Sequence, residues 1–221
     1  MIDRRTILAL AGASLVTPIF ATRSTGFTTD TMMPLWSRPP AGGGPQGPVQ
    51  IDERGAISNI AIPTIERIAP ARPNGAAMLI AAGGGYKRIE IETEARPAAA
   101  WLVARGITAF ILRYRLPGEG WADGALAPLQ DAQRALRLIR ANAARFAIDP
   151  EKLGVLGFSS GGHLLGLAAT RSSFSSYQPV DEADRQAARP GTAALIYPII
   201  TLEPPYDRSS YWCRSERCAD Q

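Results

Sequence analysis

Ser159 stands in the string Gly157-Phe158-Ser159-Ser160-Gly161, where an apolar run ends and a helical pattern begins. A serine hydroxyl attacks a carbonyl only when it is lifted clear of the backbone, relieved of its proton by a base and faced by donors for the oxyanion that forms. A G-x-S-x-G turn between strand and helix meets the first need. Small residues on either side let the two elements approach, and the helix N-terminus behind the serine favours negative charge. The string alone is weak evidence, since a serine that only caps a helix would look similar. Its place after a buried strand makes Ser159 the expected catalytic nucleophile.

The donors are expected from a second glycine-rich element. Ala82-Gly83-Gly84-Gly85-Tyr86 directly follows the first buried apolar run. Backbone N–H groups serve an oxyanion best where no side chain blocks them, and a glycine run at this point works with the N–H of the residue after the nucleophile. Gly84, Gly85 and Ser160 are therefore the expected oxyanion-hole residues. A phosphate-binding loop does not fit, because no Lys-Ser or Lys-Thr follows at the required offset and no G-x-G-x-x-G is completed. The base is the difficulty. The single histidine, His163, lies four residues beyond Ser159, one turn into the helix and behind the serine, whereas a general base must reach the hydroxyl from the open side. Glu203 follows the last strand and could orient a histidine, but there is none for it to orient. No metal and no cofactor is expected.

These residues need a sheet to hold them. Residues 76–81, 108–112, 152–158 and 193–198 are near-continuous apolar runs, as strands buried on both faces would be. Residues 57–68 read as an early strand pair with alternating Ile60, Ile62 and Ile65. Helices are expected over 94–105, 127–145 and 161–170; in the longest, Leu129, Ala132, Leu136 and Ile139 recur at helical spacing with arginines between. Strands alternating with helices give an α/β fold, a mostly parallel sheet covered on both faces.

Composition is that of an ordinary globular chain: 221 residues, 46% hydrophobic and 20% charged. The net charge of +4 is almost all arginine, the only lysines being Lys87 and Lys152, and the arginines are scattered. That pattern suits a solvated surface and argues against nucleic acid as a partner. Residues 1–24 read as a twin-arginine export signal, with Arg4-Arg5 ahead of an apolar run and a cleavage point near Ala21. The protein is thus expected in the periplasm or beyond, with no membrane span after processing. Residues 28–50 are rich in Pro and Gly and read as a linker or irregular arm. Residues 51–206 form the α/β domain, and 207–221, which hold both cysteines, show neither strand alternation nor a helical stripe.

Residues 76–86, 106–120, 127–162 and 193–205 together resemble bacterial acetyl-xylan-esterase-like α/β-hydrolases, a group that includes feruloyl and other carbohydrate esterases. Arg113-Tyr114-Arg115-Leu116-Pro117, Pro128-Leu129-Gln130-Asp131-Ala132 and Gly157-Phe158-Ser159-Ser160-Gly161-Gly162-His163 carry the likeness. It covers residues 35–206, with Ala82 standing where these enzymes usually have Pro or His. The resemblance implies eight strands, a triad in the order Ser, Asp, His, and a structural role for His163. The acid and base would follow the seventh and eighth strands, and this sequence is expected to stop after the sixth, with the last two strand–helix units missing. Read one base later, the codons for residues 210–219 permit Leu-Ile-Gly-Ala-Asp-Pro-Ser-Ala-Ala-Leu, which resembles the family's continuation and suggests a frameshift. The implied substrate is an acylated carbohydrate or small ester, and the implied reaction its hydrolysis or acyl transfer. The chain as written is expected to be inactive for lack of the triad Asp and His; a carbohydrate- or partner-binding remnant of the fold and a histidine supplied by another chain are the alternatives. Oligomeric state is not legible.

Overall fold

Nine strands and four α-helices are formed among residues 28–29, 32–38 and 42–202, which the computed structural model describes. The expected export segment, Glu203 and the cysteine-bearing tail lie outside these residues. In chain order the elements are β1 (Thr28–Thr29), β2 (Met33–Pro34), β3 (Gln50–Ile51), β4 (Ile57–Ser58), β5 (Thr64–Ala69), β6 (Ala77–Ala81), α1 (Arg96–Val103), β7 (Thr108–Arg113), α2 (Ala127–Ala141), α3 (Ala143–Phe146), β8 (Leu153–Phe158), α4 (Ser159–Thr170) and β9 (Ala193–Ile196).

The apolar runs form the middle of the main sheet, whose order is β1-β5-β7-β6-β8-β9, with β2 also on β5. β5 is antiparallel to β7; from β7 through β6 and β8 to β9 all pairings are parallel. Leu79, Ile80, Phe110, Ile111, Leu112 and Val155 are fully buried, which is why these strands show no polar alternation.

The order of strands dictates where the site can be. From β6 the chain moves one way to β7, then crosses back over β6 to reach β8 and continues the same way to β9. Right-handed crossovers therefore place α1 on one face and α2 and α4 on the other, and α2 does pack against α4. β6 and β8 are neighbours whose following helices leave to opposite faces. A crevice opens at such a switch point, at the C-terminal ends of the strands.

Four expectations are corrected. Residues 57–68 are not a strand pair: β4 pairs with β3, and Glu119 accepts the N–H groups of Asn59 and Ile60 where the chain bends at Asn59 (φ +60) before β5. The long helix stops at Ala141 and restarts as α3. Residues 28–50 are held more closely than their Pro and Gly content implies. β1 and β2 pair with β5, Leu35 is buried, and Gly44 lies against Trp121, whose ring a Cβ would meet at 2.4 Å. Nor are all the arginines solvated. Arg115 is buried against Asp131, which also accepts from the Trp36 indole. Burial raises the Asp131 carboxyl above its usual range, and Arg115 pulls the other way. Arg134 donates to Leu35 O and pairs with Asp181 and Asp184. Buried charges persist only when paired in this way.

Candidate active site

Ser159 is brought to the crevice by the turn from β8 into α4. Phe158 is still extended (φ −113, ψ 134), while Ser159 takes φ +48, a left-handed backbone uncommon for a residue with a side chain. Such strain persists only where the surroundings over-determine it. Here they do. A Cβ on Gly161 would stand 2.2 Å from Ala81 O and 2.5 Å from Ala82 O, and one on Gly157 would stand 2.5 Å from Gly161 O. The helix therefore rests directly on the backbone leaving β6. Gly161→Ala should lower unfolding free energy by about 3 kcal/mol through overpacking, read as a drop in the urea midpoint at unchanged slope.

The loop after β6 lies beside the serine: a Cβ on Gly83 would be 2.9 Å from Ser159 Cβ. Its N–H groups divide their partners. Gly83 donates to Glu94 Oε2 at 2.6 Å, and Gly85 donates to the Ser160 hydroxyl at 3.0 Å. Gly84, at φ +123 and with Arg88 O in the space a Cβ would need, makes no N–H bond to the described residues. The Ser160 N–H belongs to the first turn of α4, where backbone donors have no intrahelical partner. Of the three expected oxyanion residues, the structure thus leaves Gly84 and Ser160 with donors to offer, while the Gly85 N–H is engaged in holding the loop to Ser160.

Tyrosines surround this loop. The Tyr114 hydroxyl donates to Ala82 O at 2.9 Å, and burial pushes its pKa well up. Tyr86 (φ +59) closes the glycine run, and its hydroxyl meets His163 Nδ1 at 2.8 Å. Burial lowers the His163 pKa and raises that of Tyr86. His163 is therefore engaged behind the glycine loop. Beyond β9, Tyr197 (φ +36) donates to Glu94 Oε1 at 2.9 Å, and Ile199 N–H reaches Ser159 O at 3.2 Å. Burial and then the Glu94 bond push the Tyr197 hydroxyl up to about 12.

Glu94 is the residue that sequence reasoning missed. It lies in a π-helical turn, Ile91–Ala95, ahead of α1, and its two oxygens tie the glycine loop to the segment after β9. Such turns favour functional positions, but the sequence shows only one more glutamate at a helix start. The arrangement offers a strained serine, a glycine loop against it and a rigid frame, which together suit attack on a carbonyl.

The profile of the BD-FAE family matches residues 70–197. The acetylxylan esterase of Xylanibacter ruminicola is 32% identical over 134 residues, which are 61% of this chain and 25% of that protein. Endo-1,4-beta-xylanase B of Butyrivibrio fibrisolvens is 36% identical over 124 residues, 56% of this chain and 19% of its own length. Among solved structures, the acetyl ester-xyloside bifunctional hydrolase of Caldicellulosiruptor lactoaceticus superposes with a TM-score of 0.60 at 32% identity, covering 82% of this chain and 61% of that one. A thermophilic esterase of Thermogutta terrifontis shares the fold, with a TM-score of 0.57 at 21% identity over 72% of this chain and 55% of that one. The chain spans a quarter or less of these two curated relatives and about three fifths of these solved structures.

Proposed function

Because the chain belongs to the BD-FAE family, an α/β-hydrolase family of esterases, we propose that Ser159 is the nucleophile of a hydrolase that removes acyl groups from carbohydrates, acetyl esters of xylan foremost. The observation that carries this is the left-handed Ser159 between β8 and α4, with the glycine loop against it. In the reaction Ser159 Oγ bonds to the ester carbonyl carbon as a base takes its proton. The carbonyl oxygen becomes an oxyanion facing the Gly84 and Ser160 N–H groups. Collapse expels the sugar alcohol, which recovers that proton, and water repeats the sequence to free the acid.

Among the described residues no histidine stands at the serine, since the chain's one histidine is bonded to Tyr86. That observation favours a second reading for the 221-residue chain itself: it binds its substrate without turning it over. A base added from solution separates the readings. Imidazole should accelerate 4-nitrophenyl acetate hydrolysis by the chain about tenfold or more over the same imidazole with Ser159→Ala. The gain stays far below that of a built-in histidine, because positioning a catalytic group is worth an effective molarity of about 10⁵ M or more. Equal imidazole dependence in both proteins would remove Ser159 from the nucleophile's role.

A further inference from the structure

A cleft of about 750 Å³ lies between the segment after β7, the first turn of α2 and residues 36–38 and 175–180. Tyr114 and Arg115 are consecutive residues after that strand: Tyr114 supports the oxyanion loop, while Arg115 lines the cleft. In the sheet order β7 is two strands from β8, so the strand ends that lead to Arg115 and to Ser159 are about 10 Å apart, the reach of about two sugar units.

Its walls are an aromatic corner and a polar rim. Trp36 and Tyr177 meet edge to face with centroids 4.9 Å apart. Both rings are locked from behind, Trp36 through its indole N–H on Asp131 and Tyr177 through its hydroxyl on Asp184. Arg38, Asp123, Ser175 and Gln178 line the cleft as exposed polar side chains. Guanidiniums back the two rings, Arg115 and Arg134 over Trp36 and Arg137 over Tyr177. Arg115 is paired with Asp131, and Arg134 with Asp181 and Asp184, while Arg38 and Asp123 put one charge of each sign on the rim. The cleft suits a ligand with apolar ring faces for the aromatic corner and many hydroxyls for the rim. Rings fixed before binding lose little entropy on association.

We infer that this cleft is a carbohydrate subsite, built by Trp36, Tyr177, Asp123 and Gln178, that holds the unreacted stretch of a xylan-like chain while its ester lies at Ser159. The inference rests on the proposed esterase reading for its substrate class, but it is tested without the reaction. Unacetylated xylotetraose is titrated into the full chain carrying Leu195→Lys, which lies at the far edge of the sheet, with tryptophan fluorescence and heat of binding as readouts. Binding should be saturable. Asp123→Ala and Gln178→Ala, both exposed and so without consequence for folding, should each weaken it about fivefold, the value of one hydrogen bond; Tyr177→Leu should weaken it more. No binding, or binding that these substitutions leave unchanged, overturns the subsite. The imidazole experiment is independent: Ser159-dependent rescue without sugar binding refutes the subsite alone, and sugar binding at these residues without rescue refutes the nucleophile alone.

Discussion

The 221-residue chain, without added base, should hydrolyse 4-nitrophenyl acetate at a rate that Ser159→Ala changes by less than about tenfold. The reasoning is the non-additivity of a triad. Where serine and histidine act as one unit, loss of either costs about 10⁶ in kcat, and removing the second costs little more. What survives is the contribution of binding and of the oxyanion donors, about 10³–10⁴ over water. On the proposed assignment the Gly84 and Ser160 N–H groups supply that, and it does not need the serine. His163 does not rescue the reaction, because its Nδ1 is bonded to the Tyr86 hydroxyl at 2.8 Å, behind the loop and away from the serine. A rate near that of intact esterases that falls by orders of magnitude in Ser159→Ala would overturn this expectation and require a base from outside the described residues.

The second large effect concerns solubility. Among the described residues β9 pairs only with β8, and none of them pairs with the backbone groups on its other side. Leu195 and Ile196 are 38% and 40% exposed, Tyr197 62% and Ile200 83%. No charged residue occurs between Arg189 and Glu203 to blunt this stretch. An apolar, uncharged sheet edge is a template for pairing with another chain. The isolated chain should therefore associate with rising concentration, seen as light scattering and loss from the supernatant. Leu195→Lys should raise the soluble fraction several-fold, because a lysine can lay its stem along the edge while its ammonium stays in water. A monomer at high concentration with a sharp, cooperative thermal transition would contradict this.

What the sequence made legible follows from where a residue's role is local. The strands around Leu79, Phe110 and Val155 are continuous apolar runs because both faces are covered, and no knowledge of partners is needed to see that. The elbow's glycines are legible for the same reason: the space denied to a Cβ at Gly157 and Gly161 comes from chain segments that any strand–turn–helix would bring there. Glu94 was hidden because its meaning depends on two partners, Gly83 and Tyr197, the second 103 residues away. The glycine run has the same limit. Three consecutive glycines predict that donors exist, but which N–H is engaged depends on Glu94 and the Ser160 hydroxyl. Arg134 looks like one more solvated arginine on a helix until Leu35, Asp181 and Asp184 are placed around it.

The contact between residues 35–36 and α2 has a kinetic side. Trp36 reaches Asp131 across 95 positions and Leu35 reaches Arg134 across 99. The entropy of closing so long a loop must be met before either bond can form, whereas β6, α1 and β7 are neighbours in sequence and can assemble first. Until residues 35–36 arrive, Arg134 lacks its Leu35 acceptor and the Asp131–Arg115 pair is uncovered on that side. High contact order of this kind slows folding. Closure of the N-terminal segment over α2 is thus a late step, and it is the one that seals the charged interior of the domain.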